Sequence, residues 1–145
     1  MTLLNKVGFI DTSFNNKFIK FLNTHPETFF SDINFREKLA KKIGLTKFKE
    51  LRESMMVASN TYIVNGHYIT MSGCMPHSCG SNEGIILLDT ATENYYAVLI
   101  DNYNNKIETF STAAFSQDSI NILKEVMFKN GVNVEFNNKR FKFKN

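Results

Sequence analysis

Two cysteines and a histidine lie within six consecutive positions of this 145-residue chain, which has no other cysteine. The segment consists of Cys74, Met75, Pro76, His77, Ser78 and Cys79. Thiols and an imidazole at such short spacing could form a disulfide, contribute to a metal site, or pair as a nucleophile and its base. A disulfide would close a very small ring, so its chain-entropy contribution to global stability would be limited. We therefore expect its effect to be local.

The flanking residues predict a loop of defined shape at the end of a β-strand. Pro76 fixes its own φ angle and restricts the conformation of Met75. Gly73 and Gly80 are expected to permit sharp chain reversals on the two sides of the loop. A loop that is shaped before binding loses less conformational entropy on association. The segment is therefore typical of a binding or inhibitory loop.

The other two chemistries fit these residues less well. A metal site could use Cys74, His77, Cys79 and the more distant His67, but the Cys-x2-His-x-Cys spacing is short for structural zinc. A catalytic Cys–His pair would need a separate Asn or Asp to orient the histidine, and none is marked out. We predict neither a metal nor a cofactor. The residues alone still allow a structural role in which a disulfide staples a turn and His77 is merely exposed.

The composition predicts a single domain over residues 1–145, because the length and the 43% hydrophobic content suffice for one core. The formal charge of +3 does not by itself indicate nucleic-acid binding. No apolar run in the sequence is long enough to cross a membrane. The N-terminal residues lack the features of a secretion signal. That leaves a cytoplasmic protein and the mature form of an exported one as alternatives.

Helical periodicity marks the N-terminal part of the chain. Phenylalanines at helical spacing predict a first helix over residues 14–22, and two further helices follow with apolar residues on one face. The expected helix boundaries are a stop at His25-Pro26, an N-cap at Ser31 or Asp32, a C-cap at Gly44 and an N-cap at Thr46. The charged residues between the apolar positions are expected to form a solvated face.

After Met56 the hydrophobic period changes from 3.6 to 2. Asn65-Gly66 predicts a β-hairpin turn with positive φ angles, with His67 on the second strand. The predicted strands cover residues 61–64, 67–71, 84–89, 95–100, 106–110, 132–136 and 139–143. Ser116 is expected to cap a helix over 117–129. The chain is thus predicted to be α+β, with an antiparallel sheet of about five to six strands flanked by N-terminal helices and one C-terminal helix.

The segment from Met71 to Ser81 resembles the signature loop of the Ivy family, the bacterial inhibitors of vertebrate lysozyme. That loop reads Cys-Lys-Pro-His-Asp-Cys in the founding members. The hairpin before the loop and the apolar strand after it also match, so the resemblance covers about residues 61–100. It implies an Ivy-like domain with a helical part over about 12–56 and a sheet-forming part over about 57–145.

The resemblance also implies a function. In the Ivy family the loop enters the active-site cleft of lysozyme, and its histidine binds between the two catalytic carboxylates. The corresponding residue in this sequence is His77, and the whole target-binding loop is 74–79, closed by a Cys74–Cys79 disulfide. The implied protein is not an enzyme, has a lysozyme or related muramidase as partner, allows a homodimer, and is periplasmic or secreted, where a disulfide persists.

This chain departs from the family loop at two positions. Met75 stands where the family has Lys, and Ser78 stands where it has Asp. The net positive charge also disfavours the strongly basic animal lysozymes, so the partner could be another peptidoglycan hydrolase. The alternative function is that of a cytoplasmic Ivy-fold protein without a hydrolase target. In that case reduced Cys74 and Cys79 would form a thiol or metal site.

Overall fold

The computed structural model describes residues 9–130 of the chain. Within that range, helices precede an antiparallel sheet and one further helix follows it. This arrangement confirms the predicted α+β class. The strands predicted over 132–136 and 139–143 lie outside the described residues.

The sheet has six strands in the described part of the chain. Their bounds are Val57–Ala58 (β1), Tyr62–Val64 (β2), Tyr68–Cys74 (β3), Asn82–Asp89 (β4), Asn94–Asp101 (β5) and Lys106–Ser111 (β6). The order across the sheet is β1-β3-β4-β5-β6, and β2 pairs with the first part of β3. All pairings are antiparallel. The connection between β3 and β4 is the cysteine loop, so this loop projects from the middle of one end of the sheet.

The helices follow the predicted order but differ in detail. They are a 3₁₀ helix over Asn16–Phe21 and α-helices over Glu27–Phe30 (α1), Ile33–Ile43 (α2), Leu45–Glu53 (α3) and Gln117–Lys129 (α4). The predicted caps are confirmed at Asp32, which accepts from the Phe35 N–H, and at Ser116, which accepts from the Ser119 N–H.

Two of the predicted helix features are wrong. The segment predicted as an α-helix over 14–22 forms a 3₁₀ helix, with i→i+3 bonds such as that from the Leu22 N–H to the Ile19 carbonyl. The N-cap predicted at Thr46 is wrong because α3 already begins at Leu45. Gly44 has a φ of +88°, and it both ends α2 and precedes the first residue of α3, which leaves no linker for Thr46 to cap.

Alternating residues of the strands bury two separate clusters on the two faces of the sheet. Helices α1 to α3 and the 3₁₀ helix cover one face, mainly with Phe residues packed against Ile69, Met71 and Leu88. Helix α4 covers the other face, against Ile85 and Leu87 among others. Coverage on both sides explains why β4 reads as a continuous apolar run instead of an alternating one. The sheet that carries the loop is therefore packed on both of its faces.

The β2–β3 hairpin forms as predicted, with Asn65 and Gly66 at positive φ. The placement of His67 on a strand is wrong. The strand register pairs Val64 with Tyr68, so His67 is the third residue of the turn. Its position in the turn lets its Nδ1 atom reach the Asp11 carboxylate, at 3.0 Å.

Candidate functional site

Two glycines let the chain after α3 pack closely against the sheet at the base of the loop. Gly73 and Gly84 are register partners on β3 and β4. A Cβ atom at Gly73 would lie 2.9 Å from Met55 Cα, and a Cβ atom at Gly84 would lie 2.7 Å from Met55 Sδ. The prediction that Gly73 reverses the chain is therefore wrong. Gly73 lies within β3, and it is needed because backbone atoms approach too closely for a side chain.

The loop begins on the last residue of β3. Cys74 ends that strand and is the register partner of Val57 on β1. A disulfide joins it to Cys79, with 4.9 Å between the two Cα atoms. The Met75 N–H donates to the Asn82 carbonyl at 2.9 Å, which extends the pairing of β3 with β4 by one residue past Cys74. The two arms of the loop are thus held together by both a covalent and a hydrogen bond.

The tip of the loop is a β-turn with His77 at its third position. The Ser78 N–H donates to the Met75 carbonyl at 2.9 Å, which places Pro76 and His77 at the two central positions. His77 has a φ of +66°. Proline at the second position with positive φ at the third is the signature of a type II turn, where glycine or asparagine is usual. The histidine therefore occupies a conformation that an L-residue adopts at an energetic cost.

The returning arm is fixed by backbone and amide hydrogen bonds. The N–H groups of Ser81 and Asn82 both donate to the Ser78 carbonyl, at 3.0 and 2.9 Å. Gly80 has a φ of +94°, which confirms its predicted role in a sharp turn. Asn102, at the start of the β5–β6 turn, donates from its backbone N–H to the Ser81 carbonyl and from Nδ2 to the Gly80 carbonyl, both at 2.8 Å. The neighbouring turn thus supports this arm.

A carboxyl group lies at the base of the loop. Glu83 is on β4 and is the register partner of Cys74. Burial raises the pKa of the Glu83 carboxyl, and a hydrogen bond from the Gly80 N–H opposes this only in part. Its Oε1 atom is buried and has no hydrogen-bond partner among the described residues. The carboxyl therefore holds Gly80 in place while favouring its own neutral form more than an exposed glutamate does.

The six residues predicted for the target-binding loop lie together at one end of the sheet. His77 and Cys79 are exposed, and the other four are half-buried. His67 is not part of this group, because it lies at the opposite end of β3. The seven residues of β3 at about 3.3 Å each put it roughly 23 Å from Cys74. Among residues 9–130, no three His, Cys, Asp or Glu side chains are grouped so that they could hold a metal ion.

Two residues that shape the loop were missed in the sequence. Glu83 carried a signal, since a lone acidic residue between the loop and an apolar strand has to be solvated or paired. Asn102 carried none, because its contact with Gly80 spans 22 residues and asparagine is common in turns.

The comparisons with known proteins identify a family for this chain. A family model described as inhibitor of vertebrate lysozyme (Ivy) matches residues 34–124, from the first turn of α2 to the middle of α4. Neither curated proteins nor solved structures give a match. Among residues 9–130, no helix combines the length and apolar character needed to cross a membrane. Because the family match covers more than half of the chain, this protein belongs to the Ivy family.

Proposed function

We propose that this protein inhibits a lysozyme or a related muramidase by inserting the 74–79 loop into the active-site cleft of the enzyme. The observation that carries the proposal is the position of His77, exposed at the tip of a turn whose backbone is fixed on both sides. Family membership supports the inhibitor role in general. The loop geometry supports the specific mechanism.

The chemistry of His77 suits a glycosidase active site. Such a site places two carboxyl groups on either side of the scissile bond, one as general acid and the other as base or nucleophile. An imidazole between them donates one N–H when neutral and two when protonated, and nearby carboxylates favour the protonated form. These charge-assisted hydrogen bonds occupy the general acid and block the substrate at the same time.

The shape of the loop lowers the entropic cost of insertion. The disulfide, the Met75–Asn82 hydrogen bond and the type II turn restrict the backbone before any partner is present. Fixing the backbone of one residue costs about 1–2 kcal/mol in conformational entropy. A preformed loop avoids most of that loss, so a small insertion can still bind tightly.

The differences at Met75 and Ser78 bear on the identity of the partner. The loop presents a thioether and a hydroxyl where the family has a lysine and an aspartate, so His77 supplies its only titratable group. The chain is also positively charged overall, which slows its encounter with a strongly basic enzyme. We therefore place bacterial muramidases beside animal lysozymes as candidate targets.

The proposal includes the location and the absence of catalysis. A structural disulfide persists in oxidising compartments, so a periplasmic or secreted location suits the Cys74–Cys79 bond. The protein acts by blocking an enzyme and turns over no substrate itself. The homodimer expected from the family remains a prediction, which analytical ultracentrifugation checks.

The test is inhibition of a muramidase panel: an animal c-type lysozyme, a g-type lysozyme and a bacterial lytic transglycosylase. Wild type is compared with His77→Asn, which keeps a residue suited to positive φ but removes the imidazole. The matched control is His67→Asn, which removes an imidazole from the opposite end of β3. We expect wild type and the control to inhibit at least one enzyme, and His77→Asn to lose most of that inhibition.

Two results would contradict the proposal. If wild type inhibited none of the panel enzymes, the protein would belong to the family but lack the proposed activity. Equal inhibition by wild type and His77→Asn would remove the imidazole from the mechanism. Protein treated with a thiol reductant is run in parallel, because loss of inhibition on reduction assigns the effect to the closed loop.

A further inference from the structure

Three large hydrophobic side chains are exposed at the loop end of the sheet. Met56 is 55% exposed, Val57 is 50% exposed and Tyr103 is 85% exposed. Met56 and Val57 lie on the β1 side of the loop, and Tyr103 lies in the turn between β5 and β6 on the other side. Large apolar side chains that are exposed on both sides of a binding element are candidates for an interaction surface.

The Met56–Val57 side is fixed to the strand that carries the loop. Val57 is the register partner of Cys74, the residue on which the loop begins. The Met56 carbonyl lies 3.0 Å from His25 Nε2, so the backbone before β1 is also anchored. Gly73 leaves room for this segment to lie directly on β3. These two side chains therefore have a defined position next to the first arm of the loop.

Tyr103 is fixed to the second arm. Its neighbour Asn102 donates to the carbonyls of Gly80 and Ser81 in that arm, both at 2.8 Å. On the other side of Tyr103, the Asp101 carboxylate accepts from both the backbone N–H and Nδ2 of Asn104, at 3.1 and 2.7 Å. The turn is thus constrained on both sides of a tyrosine whose ring is almost fully in solvent.

The size of the loop argues that it does not bind alone. A stable protein–protein interface buries about 800 Å² per partner and involves roughly 20–30 residues on each side. The loop offers six residues, of which four are half-buried in the free protein. The remaining contact area has to come from surface continuous with the loop, and the exposed hydrophobic residues beside it are part of the surface at that end of the sheet.

We propose that Met56, Val57 and Tyr103 are docking contacts that pack against the two walls of the hydrolase cleft while the loop occupies its floor. This inference rests on the proposed function and names the partner surface more closely. A cleft that binds glycan rings offers apolar and aromatic faces beside its polar groups. Tyrosine is enriched at the energetically important positions of interfaces because it combines a large apolar ring with a polar hydroxyl.

The test measures inhibition constants and dissociation rates for Tyr103→Ala, Met56→Ala and the double variant against the panel enzyme that wild type inhibits. We expect each single change to raise the inhibition constant about 5- to 30-fold, which corresponds to roughly 1–2 kcal/mol per contact. The change should appear mainly in the dissociation rate. Tyr103→Phe should keep most of the affinity, because it retains the ring.

The matched control is Leu45→Ala. Leu45 is 79% exposed and is the first residue of α3. The last residues of α3 lead into β1, so Leu45 lies at the end of this helix that is away from β1. Its truncation should leave inhibition unchanged. Thermal unfolding of all variants should match wild type, since the truncated side chains contribute little to the core.

The outcomes separate the two proposals. If His77→Asn abolishes inhibition while Tyr103→Ala and Met56→Ala behave like Leu45→Ala, the loop mechanism stands and the docking contacts are overturned. If wild type inhibits no enzyme, both proposals fail together. Weakening by Tyr103→Ala and Met56→Ala, with an unchanged Leu45→Ala control, supports the docking surface.

Discussion

Replacing His77 by glycine should stabilise the protein while abolishing inhibition. His77 holds a φ of +66° at the third position of the type II turn, where glycine is the usual residue. The imidazole takes no part in the backbone hydrogen bond between Met75 and Ser78 or in the neighbouring disulfide. The variant should therefore keep the loop shape, relieve the unfavourable dihedral and lose the group that meets the target carboxylates.

The magnitude follows from two opposing effects. An L-residue in the left-handed region costs about 1–2 kcal/mol relative to the right-handed one. Glycine removes that cost but gains about 0.5–1 kcal/mol of additional conformational freedom in the unfolded chain. The net stabilisation is about 0.5–1 kcal/mol. For a chain of this length, roughly 3 °C per kcal/mol gives a rise in Tm of about 1–3 °C.

Thermal and denaturant unfolding of wild type, His77→Gly and His77→Ala measures the effect. Alanine removes the same imidazole but keeps a Cβ atom, so the alanine variant isolates the backbone contribution. We expect glycine to be the most stable of the three, with an unchanged denaturant m-value. A glycine variant no more stable than the alanine variant would refute the argument about φ. Full inhibition by either variant would refute the role of the imidazole.

Three further predictions concern the base of the loop. Glu83→Gln should flatten the pH dependence of stability. Burial raises the pKa of Glu83 in the folded state, so wild type loses stability as pH rises from the unfolded pKa of this carboxyl through its folded pKa. Urea unfolding of wild type and variant over this pH range measures the difference. Gly73→Ala should lower the free energy of unfolding by about 1–3 kcal/mol, and Gly84→Ala should lower it by less. The added Cβ atom meets backbone atoms at Gly73 but mainly the flexible thioether of Met55 at Gly84. Equal losses in chemical denaturation would contradict this. Reduction of Cys74 and Cys79 should cost at most about 2 kcal/mol, since the ring is short, so circular dichroism should show an intact fold after inhibition is lost.

Local sequence signals predicted much of the fold. The Asn65-Gly66 pair located a hairpin because few residues other than glycine and asparagine tolerate positive φ. Asp32 and Ser116 located two helix starts because their side chains satisfy free N–H groups in the first turn. The cysteine spacing located the candidate site, since the chain has no other cysteines. Each of these signals acts within a few residues of the position that it determines.

The features that were missed or wrong depend on contacts between distant segments. Gly73 resembles a turn residue in the sequence, and only the approach of Met55 shows why it has no side chain. Strand β1 has two residues, too few for any periodicity, and forms because Val57 meets the end of β3. The support of the loop by Asn102 likewise depends on the pairing of β4 with β5. None of these contacts leaves a local pattern.

The loop keeps its shape through backbone hydrogen bonds, the disulfide and the proline ring. That the other side chains do not hold the shape has an evolutionary consequence. The side chains of Met75 and Ser78 take part in none of the hydrogen bonds that hold the turn, which all use main-chain atoms of these residues. Both positions are therefore free to diversify while the presentation of position 77 stays the same. The scaffold can follow a changing enzyme by altering two side chains, and it offers a ready frame for displaying engineered side chains at positions 75 and 78.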